Sequence, residues 1–398
     1  MVLNLTWKRT AAAVIGLAML CASLMPAAYA AEAPKPPSTS ARASALIDVQ
    51  SGRLLYSDSG DTPMRIASLT KIMTAITAIE EGRLTDTVTV GRNAVGKEGS
   101  SIYLRLGEKM SLENMLYGLM LRSGNDAATA IAEHVGGSEE GFVRMMNEKA
   151  AWIGLEHSTF KNPHGLDQEG HLSTANDLAK LTAYALRNPV FASIVKTKVR
   201  KAPNPFEPWD YSWANKNKML AMYEGADGVK TGYTKTALRC LVSSATRDGQ
   251  QLAAVTLNDR DDWHDHAAML DWGYTHYKLK SLAKKGEPLN GYALAAGKAM
   301  SYPLADGEEA ELSNKLVLLS PEKDTTAYTL GERGRLEWSL NGQAIGSVPV
   351  YDLGSPRLKL PDRPAASFRP GGMFSSRPAS FGAALKLSLS ALFGAKEG

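Results

Sequence analysis

Cysteine is nearly absent from this chain, with two in 398 residues. One of them, Cys21, lies inside a leading apolar run that is expected to be removed on maturation. The single remaining thiol, Cys240, excludes an intramolecular disulfide, so a packed core has to supply the stability. No gapped cysteine pattern suggests a metal site. One-sided charge is also scarce. The net charge is +4, and part of it sits in Lys8, Arg9 and a basic C-terminal tail, leaving a near-neutral body with no electrostatic footing for nucleic acid. Long apolar runs are missing apart from Ala11 to about Leu24, which falls short of the ~20 residues a comfortable membrane span needs. No internal repeat is visible. What is present is 44% apolar and 22% charged residues, enough for one large core and a second smaller one and wrong for a disordered chain.

The polar start, the apolar run and Ala28-Tyr29-Ala30 together read as a signal peptide over residues 1–30, cleaved after Ala30. Export is therefore expected. Residues 31–42, rich in Ala, Pro and Ser, read as a flexible leader. Order is expected from Ala43, where Ala45–Asp48 and Leu54–Tyr56 flank Ser51-Gly52-Arg53 as a hairpin does. Ile72, Met73, Ile76 and Ile79 recur at helical spacing, predicting a helix over 67–80. Further helices are expected near 111–122, 125–135, 139–153 and 175–187. Strands follow at 229–232, 239–246 and 252–257, and a helix near 263–273. Strands at both ends with helices between them predict a mixed α/β domain over 43–284 whose terminal strands share one sheet. After a linker at Lys284–Pro288, residues 289–360 alternate in short runs, and Asn341-Gly342 is a two-residue hairpin signal, so a small all-β domain is expected over 285–361. Residues 362–398 read as a linker and an amphipathic helix from about Pro378. Phe381, Leu385, Leu389, Leu392 and Phe393 share one face of it, suited to a membrane surface.

Three short motifs carry the chemistry: Ser68-Leu69-Thr70-Lys71, Ser123-Gly124-Asn125 and Lys230-Thr231-Gly232. Singly they are weak, since Ser-x-x-Lys recurs at Ser158, Ser193, Ser281 and Ser320. Their order and context distinguish them. Lys71 lies one helical turn beyond Ser68, within reach of its hydroxyl, and a serine nucleophile needs an adjacent base. A neutral lysine serves if burial or a nearby cation such as Lys230 depresses its pKa. The helix start adds a partly positive field and a backbone N–H for a developing oxyanion. In Ser123-Gly124-Asn125, between two helices, glycine is expected to permit the sharp turn that projects two polar side chains. On a strand, Lys230 and Thr231 can hold a carboxylate, and Gly232 lets substrate backbone approach.

Together these motifs resemble those of the penicillin-binding and serine β-lactamase superfamily. The surroundings of Ser68, Ser123 and Lys230, with Asn162-Pro163-His164-Gly165-Leu166, are more narrowly similar to the low-molecular-mass D-alanyl-D-alanine carboxypeptidases over residues 43–282. That resemblance implies an antiparallel sheet flanked by helices, followed by the β domain. It implies Ser68 as acylated nucleophile, Lys71 as base, Ser123 and Asn125 as relay and positioning groups, and Lys230, Thr231 and Gly232 at the substrate. The oxyanion hole is then the backbone N–H of Ser68 and of Tyr233. Some members of the family carry histidine where this chain has Tyr233. Arg260 is the candidate for a second carboxylate-binding cation. No cofactor or metal is implied. The partners implied are a peptidoglycan stem ending in D-Ala-D-Ala, β-lactam antibiotics and a membrane surface, at the outer face of the cytoplasmic membrane. A serine β-lactamase is the rival within the superfamily, although it needs a deacylating group and only Glu169 offers one. A wall-binding scaffold without catalysis is the rival outside it, but has no use for a paired Ser and Lys. His264-Asp265-His266 lies on a helical stretch, where the two imidazoles point apart and do not chelate.

Overall fold

Strand-like segments lie at both ends of the first 270 residues and helical periodicity fills the middle, so the strands that close the sheet have to meet across the whole domain. In the computed structural model, which describes residues 35–320 and 325–360, they do. Five antiparallel strands run in the order Leu54–Asp58, Ala43–Asp48, Gln250–Leu257, Leu238–Arg247, Ala226–Thr234. The N-terminal hairpin is thus paired to the last strands of the domain, Ala43 opposite Leu257 and Asp48 opposite Leu252. All six residues of Ala43–Asp48 are buried. Such a strand has core on both sides, and the helix Ala175–Leu186 packs against it and against Gln250–Leu257.

The helix Thr70–Glu81 is buried at every position from Thr70 to Ala78, so it is the central helix of the layer rather than a surface one. Leu112–Arg122, Asn125–Gly136 and Glu139–Ile153 surround it. Ser111, Ser138 and Thr174 cap their helices by accepting from Asn114, Gly141 and Asp177 N–H groups, each of which would otherwise lack a partner. The helix Asp262–His276 is tied to the sheet by His266, which is fully buried, with Nδ1 2.5 Å from Ser243 Oγ and Nε2 3.0 Å from Thr256 Oγ1. Burial lowers the His266 pKa to about 3, so this imidazole is a neutral strut. His264 faces away, exposed, against Asp261 at 2.8 Å.

Short elements absent from the periodicity also form: the helices Pro189–Lys196 and Met219–Met222, and two-stranded ribbons pairing Thr87–Thr89 with Lys109–Ser111 and Val199–Ala202 with Tyr211–Ala214. Each is too brief for a period to register.

One compact unit spans Thr39–Leu270; another comprises Asp271–Lys359 with residues 35–38. The chain enters the second unit ahead of the Lys284–Pro288 segment, because Tyr277–Ala283 is already a strand paired with Met300–Ala305. That unit also holds a four-stranded antiparallel sheet, with a core around Ala283, Ala296, Trp338 and Val348. Asn341 and Gly342 both have positive φ, 51° and 75°, as the two-residue hairpin between Glu332–Leu340 and Gln343–Asp352 requires. Among the described residues no helix is long and apolar enough to cross a membrane. The expected signal peptide and C-terminal amphipathic helix lie outside the described residues.

Phe142 is fully buried in Glu139–Ile153, and its backbone and Cβ approach Gly136 so closely that a Cβ there would sit 2.4–2.6 Å away. Phe142→Ala is expected to cost about 3–5 kcal/mol. Urea unfolding should show a lower midpoint with an unchanged slope; a loss under about 1 kcal/mol would mean the site collapses around the smaller side chain.

Candidate active site

Ser68 sits in a single 3-10 turn, Ala67–Leu69, that feeds the helix Thr70–Glu81. Its neighbours Ala67, Leu69 and Thr70 are buried while Ser68 itself is partly exposed, which leaves a hydroxyl facing outward from a rigid mount. Ala67 is held at φ 47°, and the mount is braced from below. The Thr70 hydroxyl donates to Ala67 O at 2.8 Å and lies 2.8 Å from His171 Nε2. His171 Nδ1 accepts from Lys161 N–H at 3.1 Å, so the neutral ring carries its proton on Nε2 and donates to Thr70. Burial holds the His171 pKa down to about 4, which keeps it neutral.

Lys71 is fully buried one turn along, with Nζ 2.9 Å from Ser68 Oγ, 2.6 Å from Asn125 Oδ1 and 2.6 Å from the backbone oxygen of His164. Two of these three partners are carbonyl oxygens, which only accept. When Lys71 is neutral its two N–H bonds go to Asn125 and His164, and the lone pair is left pointing at the Ser68 hydroxyl. Burial, then the charges of Lys230 and Lys216, push the Lys71 pKa well below its ordinary value, with Asp126 opposing. Burial and Lys230 are the causes expected from the sequence, and Lys216 is added to them.

The His164 carbonyl is aimed by the loop Asn162–Leu166. Asn162 Oδ1 accepts from Gly165 N–H at 2.7 Å, its Nδ2 donates to Leu166 O at 3.0 Å, and Thr74 Oγ1 donates to Pro163 O at 2.6 Å. Gly165 has φ +83°, and a Cβ there would lie 2.0 Å from Ala67 O, so only glycine allows the loop to pass beneath the Ser68 turn.

Ser123 and Asn125 enter from the junction of Leu112–Arg122 and Asn125–Gly136. The left-handed residue of that turn is Ser123, φ 64°, and not the glycine the sequence suggested. Gly124 has φ −59° and is needed for another reason: a Cβ would meet Asp126 Oδ1 at 2.8 Å and Ile102 and Ala127 at 3.3 Å. Asn125 is the first residue of its helix. Its Nδ2 donates to Glu98 O at 2.5 Å and its backbone N–H to Ser100 O at 2.7 Å, which orients the amide so that Oδ1 faces Lys71.

Lys230, Thr231 and Gly232 lie on Ala226–Thr234, the edge strand of the sheet. Gly232 packs on the Ser68 turn: a Cβ would be 3.3 Å from Ala67 Cβ, Ile66 O and Leu69 N. Lys230, on the same face by alternation, is buried and donates to Thr231 O at 2.7 Å. Its pKa falls to about 7 through burial and then Lys216. Tyr233 is exposed, and Thr234 Oγ1 donates to Asp167 Oδ1 at 3.1 Å. Lys216, whose pKa burial also lowers, donates to Ser100 Oγ at 3.1 Å. Nothing in its sequence surroundings, Asn215-Lys216-Asn217, marked it out. Arg260 is exposed in the turn ahead of Asp262–His276, and the arginine anchored there is Arg239, bound to Asp262 through two nitrogens. Trp213 is buried and stacked on Tyr211 at 5.4 Å, while Trp209 is exposed. Among the described residues no cluster of His, Cys, Asp or Glu is arranged to hold a metal.

A family model described as D-alanyl-D-alanine carboxypeptidase matches residues 30–261. The D-alanyl-D-alanine carboxypeptidase DacF of Bacillus subtilis is 34% identical over 315 residues, which is 76% of this chain and 80% of that protein. The structure of penicillin binding protein 5 from Haemophilus influenzae superimposes with a TM-score of 0.65 at 26% identity, covering 80% of this chain and 98% of that one. A Streptomyces DD-transpeptidase gives 0.57 at 31% identity, covering 61% and 99%.

The lysine cluster makes a direct prediction. In protein labelled with carbon-13 at lysine Cε, one resonance should titrate near pH 7, charged below and neutral above, and should vanish in Lys230→Arg. If every lysine titrates near 10, the burial argument fails.

Proposed function

The chain belongs to the D-alanyl-D-alanine carboxypeptidase family, and on that premise we propose how its own residues carry out the reaction. It is a serine hydrolase whose family acts on peptidoglycan peptides ending in D-Ala-D-Ala, and whose penicillin-binding members take β-lactams. Ser68 is the nucleophile. Its proton passes to the Lys71 lone pair as Oγ attacks the carbonyl carbon of the penultimate D-Ala, and the electrons of the C=O bond move to oxygen. The backbone N–H groups of Ser68 and Tyr233 receive that oxyanion. On collapse the C–N bond breaks, and the proton held by Lys71 reaches the leaving amine through the Ser123 hydroxyl. The acyl-enzyme then hydrolyses by the reverse relay, with water in place of the amine. Lys230 and Thr231 hold the terminal carboxylate, with Lys216 adding to the cationic field, and Gly232 lets the substrate lie along the strand edge. Arg260 is kept as a peripheral carboxylate partner.

The observation that carries this reading is the Lys71 cage: two accept-only oxygens and one hydroxyl around a fully buried amine. Incubated with a pentapeptide ending in D-Ala-D-Ala, the purified protein should release D-Ala, detected by mass spectrometry as the tetrapeptide. Ser68→Ala should cut the rate roughly 10⁴-fold or more. Benzylpenicillin should leave a stable adduct on the peptide containing Ser68. An adduct on Ser123, or one that persists in the alanine variant, contradicts the assignment.

The setting we propose is the outer face of the cytoplasmic membrane, reached by a signal peptide cleaved after Ala30. The segment from about Pro378 lies on the membrane surface through Phe381, Leu385, Leu389, Leu392 and Phe393, with Lys386 and Lys396 favouring anionic lipid. Truncation after Arg363 should abolish binding to anionic vesicles at low salt and leave hydrolysis of small peptides intact. Failure of the full-length mature protein to bind such vesicles removes the anchor from the proposal.

A further inference from the structure

Tyr103 combines two features that folding alone does not reward. Its φ is 65°, in the left-handed region that a bulky side chain rarely occupies, and it is 83% exposed. Most other non-glycine residues with positive φ are Ser, Asp or Asn, short polar residues for which it costs less than for a bulky ring. The exceptions are Ala67, just ahead of the nucleophile, Leu238, which pairs with Thr234 at the end of the Lys230 strand, and Tyr103. Strain of this kind persists where surrounding structure imposes it, and it gathers at functional sites.

The imposing structure is a strap over residues 98–104. Asp126, buried beside Asn125, accepts from Ser101 Oγ at 2.6 Å, Ile102 N–H at 3.1 Å and Leu104 N–H at 3.0 Å. The Ile102 and Leu104 side chains are buried, so the residue between them is turned outward. The same strap touches the catalytic groups: Glu98 O and Ser100 O take the Asn125 donors, and Ser100 Oγ takes Lys216. Tyr103 follows Ser100 by three residues, so its Cα lies within about 11 Å of it. A glycine would satisfy the backbone better and spare the exposed ring.

We propose that Tyr103 is a substrate-contacting residue at the rim of the cleft, its ring packing against the stem peptide upstream of the D-Ala-D-Ala terminus. This rests on the carboxypeptidase reading above. Ser100 lies beside Asn125 and Lys216, and an extended peptide advances about 3.3 Å per residue from the scissile bond, so a stem running past this strap brings its upstream residues, and not its terminus, to the ring. The ring therefore acts on long substrates and is indifferent to short ones.

The test compares the parent, Tyr103→Gly and Tyr103→Phe on a pentapeptide stem, on its acetylated C-terminal tripeptide, and in acylation by benzylpenicillin. Tyr103→Gly is expected to lose about tenfold in kcat/KM on the pentapeptide, the worth of one good apolar contact. It should change less than about twofold with the tripeptide and benzylpenicillin, and its Tm should be unchanged or higher because the strain is relieved. Tyr103→Phe should behave as the parent. Equal losses on long and short substrates would show that the residue only shapes the strap, and no loss on any would show that the ring touches nothing; either overturns the inference. Failure of the parent itself to release D-Ala from the pentapeptide would instead sink the carboxypeptidase reading.

Discussion

A lysine amine sealed from water among two carbonyl oxygens and one hydroxyl is the arrangement on which the rest of the site depends. The carbonyls of Asn125 and His164 can hold N–H bonds but cannot give a proton back, so whatever basicity the amine has is directed at Ser68. Each wall of this cage comes from a different part of the chain, and each is braced. Asn125 is oriented by Glu98 O, the His164 carbonyl by the Asn162 side chain, and Ser68 by the Thr70 and His171 contacts beneath its turn. A displaced brace would misdirect the lone pair even with all three motifs intact.

The arrangement costs stability. Lys71, Lys230 and Lys216 all have pKa values below the ordinary lysine range, chiefly through burial, which means the fold gives up proton affinity that the unfolded chain would have. Backbone strain at Ala67 and Ser123 adds to the cost. The compensation lies in the surrounding core: the helix that begins just after Ser68 is buried over nine consecutive residues, Thr70 to Ala78, and the strand Ala43–Asp48 is sealed on both faces. The neutral strut of His266 between Ser243 and Thr256 fixes the last helix to the same sheet without adding a buried charge.

Much of this was readable from residue order. The helical spacing of Ile72, Met73, Ile76 and Ile79 placed the helix that carries Lys71, because burial of one stripe imposes that period on any sequence, and the strand-forming run from Val229 placed Lys230 on a strand. The hairpin at Asn341-Gly342 was legible because two successive positive φ angles favour those residues. The Ser68–Lys71 pairing was legible because one helical turn is a local distance. One local reading did not carry over. Gly124 was expected to make the turn, yet Ser123 does, because the glycine is required for the close approach of Ile102 and Asp126, residues whose nearness no local pattern announces. The ion pair that anchors Arg239 to Asp262, at the start of the helix Asp262–His276 and beside the exposed Arg260, was likewise not announced by any local pattern.

The sequence by itself determined the longer elements, the central helix and the Ser68–Lys71 pairing, since all of these depend on spacings of a few residues. Only the tertiary structure decided how the pair is tuned. The His164 oxygen reaches Lys71 across 93 positions and Asn125 across 54, Lys216 depresses both other lysines, and the Asp126 strap turns Tyr103 outward. These are matters of distance in space and of exclusion of water. Both are set by how the sheet closes between Ala43–Asp48 and Gln250–Leu257, and neither leaves a period or a composition in the chain.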